Sequence, residues 1–160
     1  MQDAERLNEI RVKINFLTDV LERKIELLNQ IYNITENQEF FEKTLNGQDR
    51  DILLKEAVDE KQKIINEVIA ADNTFMRVFG EFKGDLNRNQ DIFRSEIKNM
   101  QNKIREVSAI DYKIRAKEQR ARNGVKVEPS KNVFSKKIKG LKSSKSYILD
   151  KYRKNSQGKE

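Results

Sequence analysis

The residues nearest to an acid–base pair in this sequence are neighbouring carboxylates, Asp59 with Glu60 and Asp49 with Asp51. General acid–base catalysis needs one carboxyl shifted by a pocket and oriented by a partner. The flanking sequence offers neither, so both pairs read as solvated helix residues and caps. Histidine and cysteine are absent from all 160 residues. That removes the usual base near neutral pH, the thiolate nucleophile and the common nitrogen and sulfur metal ligands. No catalytic, cofactor-binding or metal-ligating set emerges, and the expectation is a protein that is not an enzyme.

A second candidate chemistry lies near the C-terminus, where Lys136, Lys137, Lys139, Lys142 and Lys145 accompany Phe134 and Tyr147. Cations interleaved with aromatic rings can contact phosphates and stack on bases. Basic runs are also common as solvated chain ends, and nucleic acid is the less favoured partner. Phe134, Ile138 and Leu141 could lay a short amphipathic face on an anionic membrane. Without tryptophan, and with so short an apolar face, docking on a partner helix or on the protein's own body is preferred.

The elements that must position these residues are helices. In the first, Leu7, Ile10, Ile14, Leu17, Leu21, Ile25, Leu28 and Ile31 recur at intervals of three and four, the mark of one apolar seam closed against other helices. This helix is expected from about Asp3 to Leu45, ending at Asn46 and Gly47, with Asp49 and Asp51 capping the next. So short a connection implies antiparallel packing. The second helix carries Ile52, Leu54, Val58, Ile65, Val68, Phe75, Phe79 and Phe82, with Lys61 and Asp72 at seam positions. Phe75, Phe79 and Phe82 share one face and read as core. Gly80, Gly84, Asp85, Asn87 and Asn89 place a turn near residues 83–88, with a single longer helix broken at residues 72–74 as the competing arrangement. The third helix runs through Met100, Ile104, Val107, Ile110 and Ile114 to about Arg122, closed by Asn123 and Gly124.

Composition agrees with a slender bundle. Hydrophobic residues make up 36% and charged residues 37%, too little apolar material for a thick core, and there are one proline and no tryptophan. The net charge of +7 is unevenly spread: residues 1–112 hold 17 basic and 22 acidic side chains, residues 113–160 hold 16 and 4. The fold expected is all-α, an elongated antiparallel bundle of three long helices over residues 1–123. A basic, partly disordered tail over 124–160 follows, in which Phe134, Ile138, Leu141, Ile148 and Tyr152 again keep helical spacing. Residues 1–8 are polar, and no apolar run approaches the roughly 18 residues of a membrane span. The expected location is the cytoplasm.

One run of residues carries a resemblance. Leu17, Leu21, Lys24 through Leu28, Ile31, Thr35 and Gln38, followed by Glu60, Lys61, Ile64 and Ile65, resemble the first two helices of the flagellar export chaperone FlgN family. The pattern continues through Asp72, Phe75, Phe79, Lys83, Ile97, Met100, Gln101, Ile104, Val107, Ile114, Glu118 and Arg120, and a basic tail ending near a tyrosine, as at Tyr147, is similar to that group as well. FliT, the related chaperone of the filament cap protein, is similar in size and helix content. The resemblance implies a chaperone that binds terminal helices of the hook-associated, hook-filament junction proteins before type III export, with the export gate as a further partner through Tyr147 or Tyr152. The partner-binding residues expected are Ile104, Val107 and Ile114 on the third helix and Phe134, Ile138, Leu141 and Tyr147 in the tail. The polar seam positions Lys61 and Asp72 are expected to loosen packing and leave room for an incoming helix. A self-associating coiled-coil scaffold, including a homodimer, would use the same seams and stays open beside the chaperone reading, as does a nucleic-acid-binding module using the tail.

Overall fold

The structure, a computed structural model, describes the backbone of residues 2–123 and the side chains of residues 3–120. It is all-α: α1 spans Gln2–Thr44, α2 Gly47–Arg88 and α3 Arg94–Asn123. At 1.5 Å per residue these are rods of about 64, 63 and 45 Å, and α2 folds back antiparallel to α1 while α3 returns parallel to it. Residues 124–160, which include Phe134, Ile138, Leu141 and Tyr147, lie outside the described residues.

The first connection is as short as the sequence implies. Asn46 is extended and Gly47 adopts a φ of 67°, the left-handed conformation that glycine takes without a Cβ penalty. Asn46 occupies the N-cap position but its side chain makes no capping hydrogen bond, and Asp49 sits inside the first turn of α2. The acidic residue therefore favours the helix dipole rather than capping it. The expectation that Asp49 and Asp51 cap α2 is corrected accordingly.

The second connection falls later than residues 83–88. Helix α2 runs unbroken through Asp72, Gly80 and Gly84 to Arg88, and the chain turns over residues 89–93. Each glycine costs a helix roughly 1 kcal/mol against alanine, but Phe82 and Leu86 are buried only if the helix continues past them. Burying two large apolar side chains contributes about 1.5–3 kcal/mol each, which outweighs the glycines. Asn89 then ends the helix: its side-chain amide donates to the Asp85 carbonyl, and its backbone N–H donates to the Leu86 carbonyl. Phe93, completely buried, plugs this end of the bundle.

Helix α1 is the hub. It packs along its length against both α2 and α3, whereas Cα atoms of α2 and α3 stay more than 8 Å apart. The core follows the expected seams: Ile14, Leu17, Leu21, Leu28 and Ile31 of α1 meet Ile65, Val68, Phe75 and Phe82 of α2 and Met100, Ile104, Val107 and Ile114 of α3. Phe75 and Phe82 are buried and Phe79 is half-buried, stacked on Phe75 at 5.9 Å between centroids.

Candidate partner-binding surface

Polar residues at seam positions are the first feature that bears on binding. Lys24 of α1 and Asp72 of α2 are each 2% exposed and form an ion pair, with Nζ donating to Oδ1 at 2.6 Å. About three turns further along, Lys61 of α2 donates to Oε1 of Glu118 of α3 at 2.8 Å, both buried. Asp111 and Arg115 pair within α3 at 3.3 Å, and both are buried. Lys61 and Asp72 therefore do not leave vacant space in the seam, as the sequence suggested. Each is filled by an opposite charge from a neighbouring helix.

The partners, Lys24 and Glu118, were legible in principle. Lys24 lies at seam spacing between Leu21 and Leu28, and Glu118 lies at seam spacing after Asp111 and Ile114. Opposite charges on seam positions of different helices are the signal for an interhelical pair, and such pairs fix register at some cost in stability.

The sequence-predicted binding residues of α3 divide from the surface that remains accessible. Ile104, Val107 and Ile114 are buried in the core. They face α1, because the ion pairs Glu96 to Arg11, Lys103 to Glu22 and Lys117 to Glu39 tie the adjacent flank of α3 to α1. A partner reaching them would have to displace α1. The opposite flank of α3 presents Ile97, Gln101, Ser108, Tyr112 and Gln119, all half-buried.

A matching flank exists on α2. Glu67 and Asp85 reach Arg23 and Arg6 of α1 and mark the α1 side. On the side away from it lie Val58, Ile69 and Met76, half-buried apolar residues that sequence reasoning assigned to no site. Between and around them Gln62, Asn66, Asn73 and Gly80 complete a row without a single charge, in a chain where 37% of residues are charged. On α3 the corresponding row holds two charges, Arg105 and the buried Arg115. Both rows border the α2–α3 flank, which is crossed by the Lys61–Glu118 pair and closed at one end by the turn at Phe93. Three helices arranged in this way resemble three corners of a four-helix bundle, with the side opposite α1 lined mainly by apolar and neutral side chains beside Arg105 and Arg115.

Electrostatics pin the two ends of the rod. Lys43 and Lys117 both donate to Glu39 and hold its carboxyl below the usual carboxylate range, with Lys43 the larger cause. The same Glu39 contact raises Lys117, whose ammonium also lies 5.6 Å from the centroid of Tyr32. At the other end, hydrogen bonds from Arg6 and then Arg88 lower Asp85. A shallow cleft of about 270 Å³ there is lined by Glu5, Arg6, Glu9, Lys13 and Asp85 among others, without an orienting third group of the kind a nucleophile and base require. Among the described residues no group of acidic side chains is arranged to hold a metal ion, and no helix is long and apolar enough to cross a membrane.

No family model, no curated protein and no solved structure matches the chain.

Proposed function

We propose that this protein is a cytoplasmic, helix-binding export chaperone of the FlgN type, which covers the terminal helices of hook-filament junction proteins before their secretion. The observation that carries the reading is the α2–α3 flank, where half-buried apolar side chains and uncharged neighbours border the corner opposite α1. An amphipathic helix laid there would bury its apolar face against Ile69, Met76 and Ile97. A client whose terminal helices assemble only outside the cell exposes such faces inside it, and covering them prevents association. Release before export requires moderate affinity, which suits a surface whose apolar side chains are already half covered. The resemblance in sequence supplies the client class.

The test is copurification with hook-filament junction proteins, followed by mass measurement of the complex. The expected result is a complex lost when Ile69→Glu and Met76→Glu are introduced together and helicity is retained. A protein that doubles its own mass and ignores the client would instead be the self-associating scaffold. Salt-sensitive binding to DNA or RNA with no client complex would move the function to the basic tail.

A further inference from the structure

We infer that the helix received by the α2–α3 flank is acidic along its edges: an amphipathic helix whose apolar seam is bordered by Asp and Glu, which lie against Lys83 of α2 and against Lys98 and Arg105 of α3. The inference rests on the flank being a helix-binding surface, as proposed above, and adds the chemistry of the helix that fits it.

The sign of the flank follows from where the carboxylates of its two helices go. Helix α3 has four. Glu96 reaches Arg11, and Glu106 reaches Lys103, which also reaches Glu22, so both lie toward α1. Asp111 and Glu118 are buried against Arg115 and Lys61. From Lys61 to Arg88, α2 also has four. Glu67 and Asp85 reach Arg23 and Arg6 of α1, and Asp72 is buried against Lys24. Glu81 follows Glu67 by two heptads and so shares its α1 side. No carboxylate of either stretch is left beside Ile69, Met76 and Ile97.

The cations are placed the other way. Lys83 follows Met76 by one heptad and Lys98 precedes Arg105 by one, so both belong to the open side of their helices. All three are exposed. Lys103 and Lys117, on the α1 side of α3, have carboxylate partners. Among the described residues Lys83, Lys98 and Arg105 have none, and Arg105 donates to the Asn102 side chain at 2.8 Å. An apolar strip with cations along both edges and no compensating anion is a field that draws negative charge to those edges.

This pattern selects among occupants. A second copy in a two-fold contact would set the same surface against itself, cation edge against cation edge. A nucleic acid would meet the charges, but Ile69, Met76 and Ile97 call for an apolar face that a phosphate backbone lacks. An amphipathic helix with acidic edges satisfies both the strip and its borders. One exposed ion pair shifts an equilibrium by a few-fold at most, so the seam supplies most of the affinity and the three edge cations choose among seams.

Two synthetic peptides of identical composition separate edge charge from net charge. Both carry the same leucine seam; in one, Glu occupies the positions beside the seam and Lys the outer face, and in the other Glu and Lys are exchanged. The lysine-rich residues 124–160 meet the same net charge in both peptides, so they create no difference between them. Binding to the full chain is read by fluorescence anisotropy, and circular dichroism checks that each protein variant is folded and that the peptides are equally helical. The expected result is about tenfold tighter binding of the Glu-edged peptide at roughly 50 mM salt, narrowing below about threefold near 0.5 M as charges are screened. Lys83→Glu, Lys98→Glu and Arg105→Glu together should invert the preference, and Ile69→Glu with Met76→Glu should abolish binding of both peptides. Equal affinities at low salt, a preference for the Lys-edged peptide, a preference that survives the triple reversal, or no binding of either peptide would each overturn the inference. Equal affinities that still depend on Ile69 and Met76 would leave the flank a helix-binding surface of no charge preference, and copurification with junction proteins decides that broader reading separately.

Discussion

The sharpest test of the packing is the Lys24–Asp72 pair, because both side chains are almost wholly inaccessible and the contact is 2.6 Å. Replacing Asp72 by Asn, or Lys24 by Met, removes one charge and leaves its partner's charge inside the bundle. Breaking a buried pair in this way costs about 3–5 kcal/mol. Replacing both together, Lys24→Met with Asp72→Leu, substitutes apolar groups of similar reach and should return stability to within about 1–2 kcal/mol of the starting protein, or exceed it. The pairwise coupling is then several kcal/mol, far above the few tenths by which independent sites deviate from additivity. For a domain of this size a urea slope of about 1–3 kcal/mol per molar turns a loss of about 4 kcal/mol into a midpoint shift of roughly 1.3–4 M. Urea unfolding followed by circular dichroism measures it. Single substitutions that cost less than about 1 kcal/mol would mean the pair is solvated. A double variant as unstable as the sum of the singles would mean the two charges do not stabilise one another, and either result refutes the argument.

Leu21→Asp or Ile104→Asp should cost several kcal/mol by burying an unpaired carboxylate; unchanged melting temperature would show that the helical phase is misassigned. Gly47→Ala should cost about 1 kcal/mol through its positive φ alone, since nothing lies within 4 Å of the added Cβ, and a larger loss in thermal unfolding would point to a clash instead. The carboxyls of Glu39 and Asp85 titrate lower in the folded protein than in the unfolded chain. Their contribution is therefore complete above the ordinary carboxylate range and fades as pH falls below about 4.5; Asp85→Asn should flatten part of that acid limb in melting temperature against pH. Lys117 is raised, so its contribution is present at neutral pH and fades only above about pH 10.5. Ending the chain after Asn123 should leave the three helices folded by circular dichroism while changing client affinity; no change in affinity would separate the tail from binding altogether.

The three helices and their order were legible because large aliphatic residues repeat with one spacing over long stretches, as from Ile10 to Ile31, and that period has few alternative structures. The position of the second turn was not, because Gly80 and Gly84 are local breakers whose cost is overridden by Phe82 and Leu86 burying against α1. A local signal lost to a tertiary one. Lys61 and Asp72 stood out as seam interruptions, yet their meaning depended on residues 57 and 48 positions away, which periodicity alone does not pair. Ile104, Val107 and Ile114 were picked as partner-binding by their apolarity, and the same property placed them against α1. Val58 reads in sequence as part of the main seam and Ile69 and Met76 as part of no pattern, because a second apolar row beside the main seam looks like a slightly wide version of the first.

The central position of α1 has a consequence for how the chain is made. Its contacts with α2 are with the segment that follows directly, but those with α3 join residues about eighty positions apart, as with Lys103 and Glu22 or Lys117 and Glu36. A ribosome delivers the chain from the N-terminus at roughly 5–20 residues per second. The helical hairpin of α1 and α2 can therefore close seconds before the remainder of the chain has emerged, and the side of α1 that will receive α3 waits uncovered through that interval. Contacts so distant in sequence are also the slow ones to form. The first helix to be synthesised is the last to be completed, and for those seconds the newborn protein has the same exposed helical face that it is proposed to conceal in others.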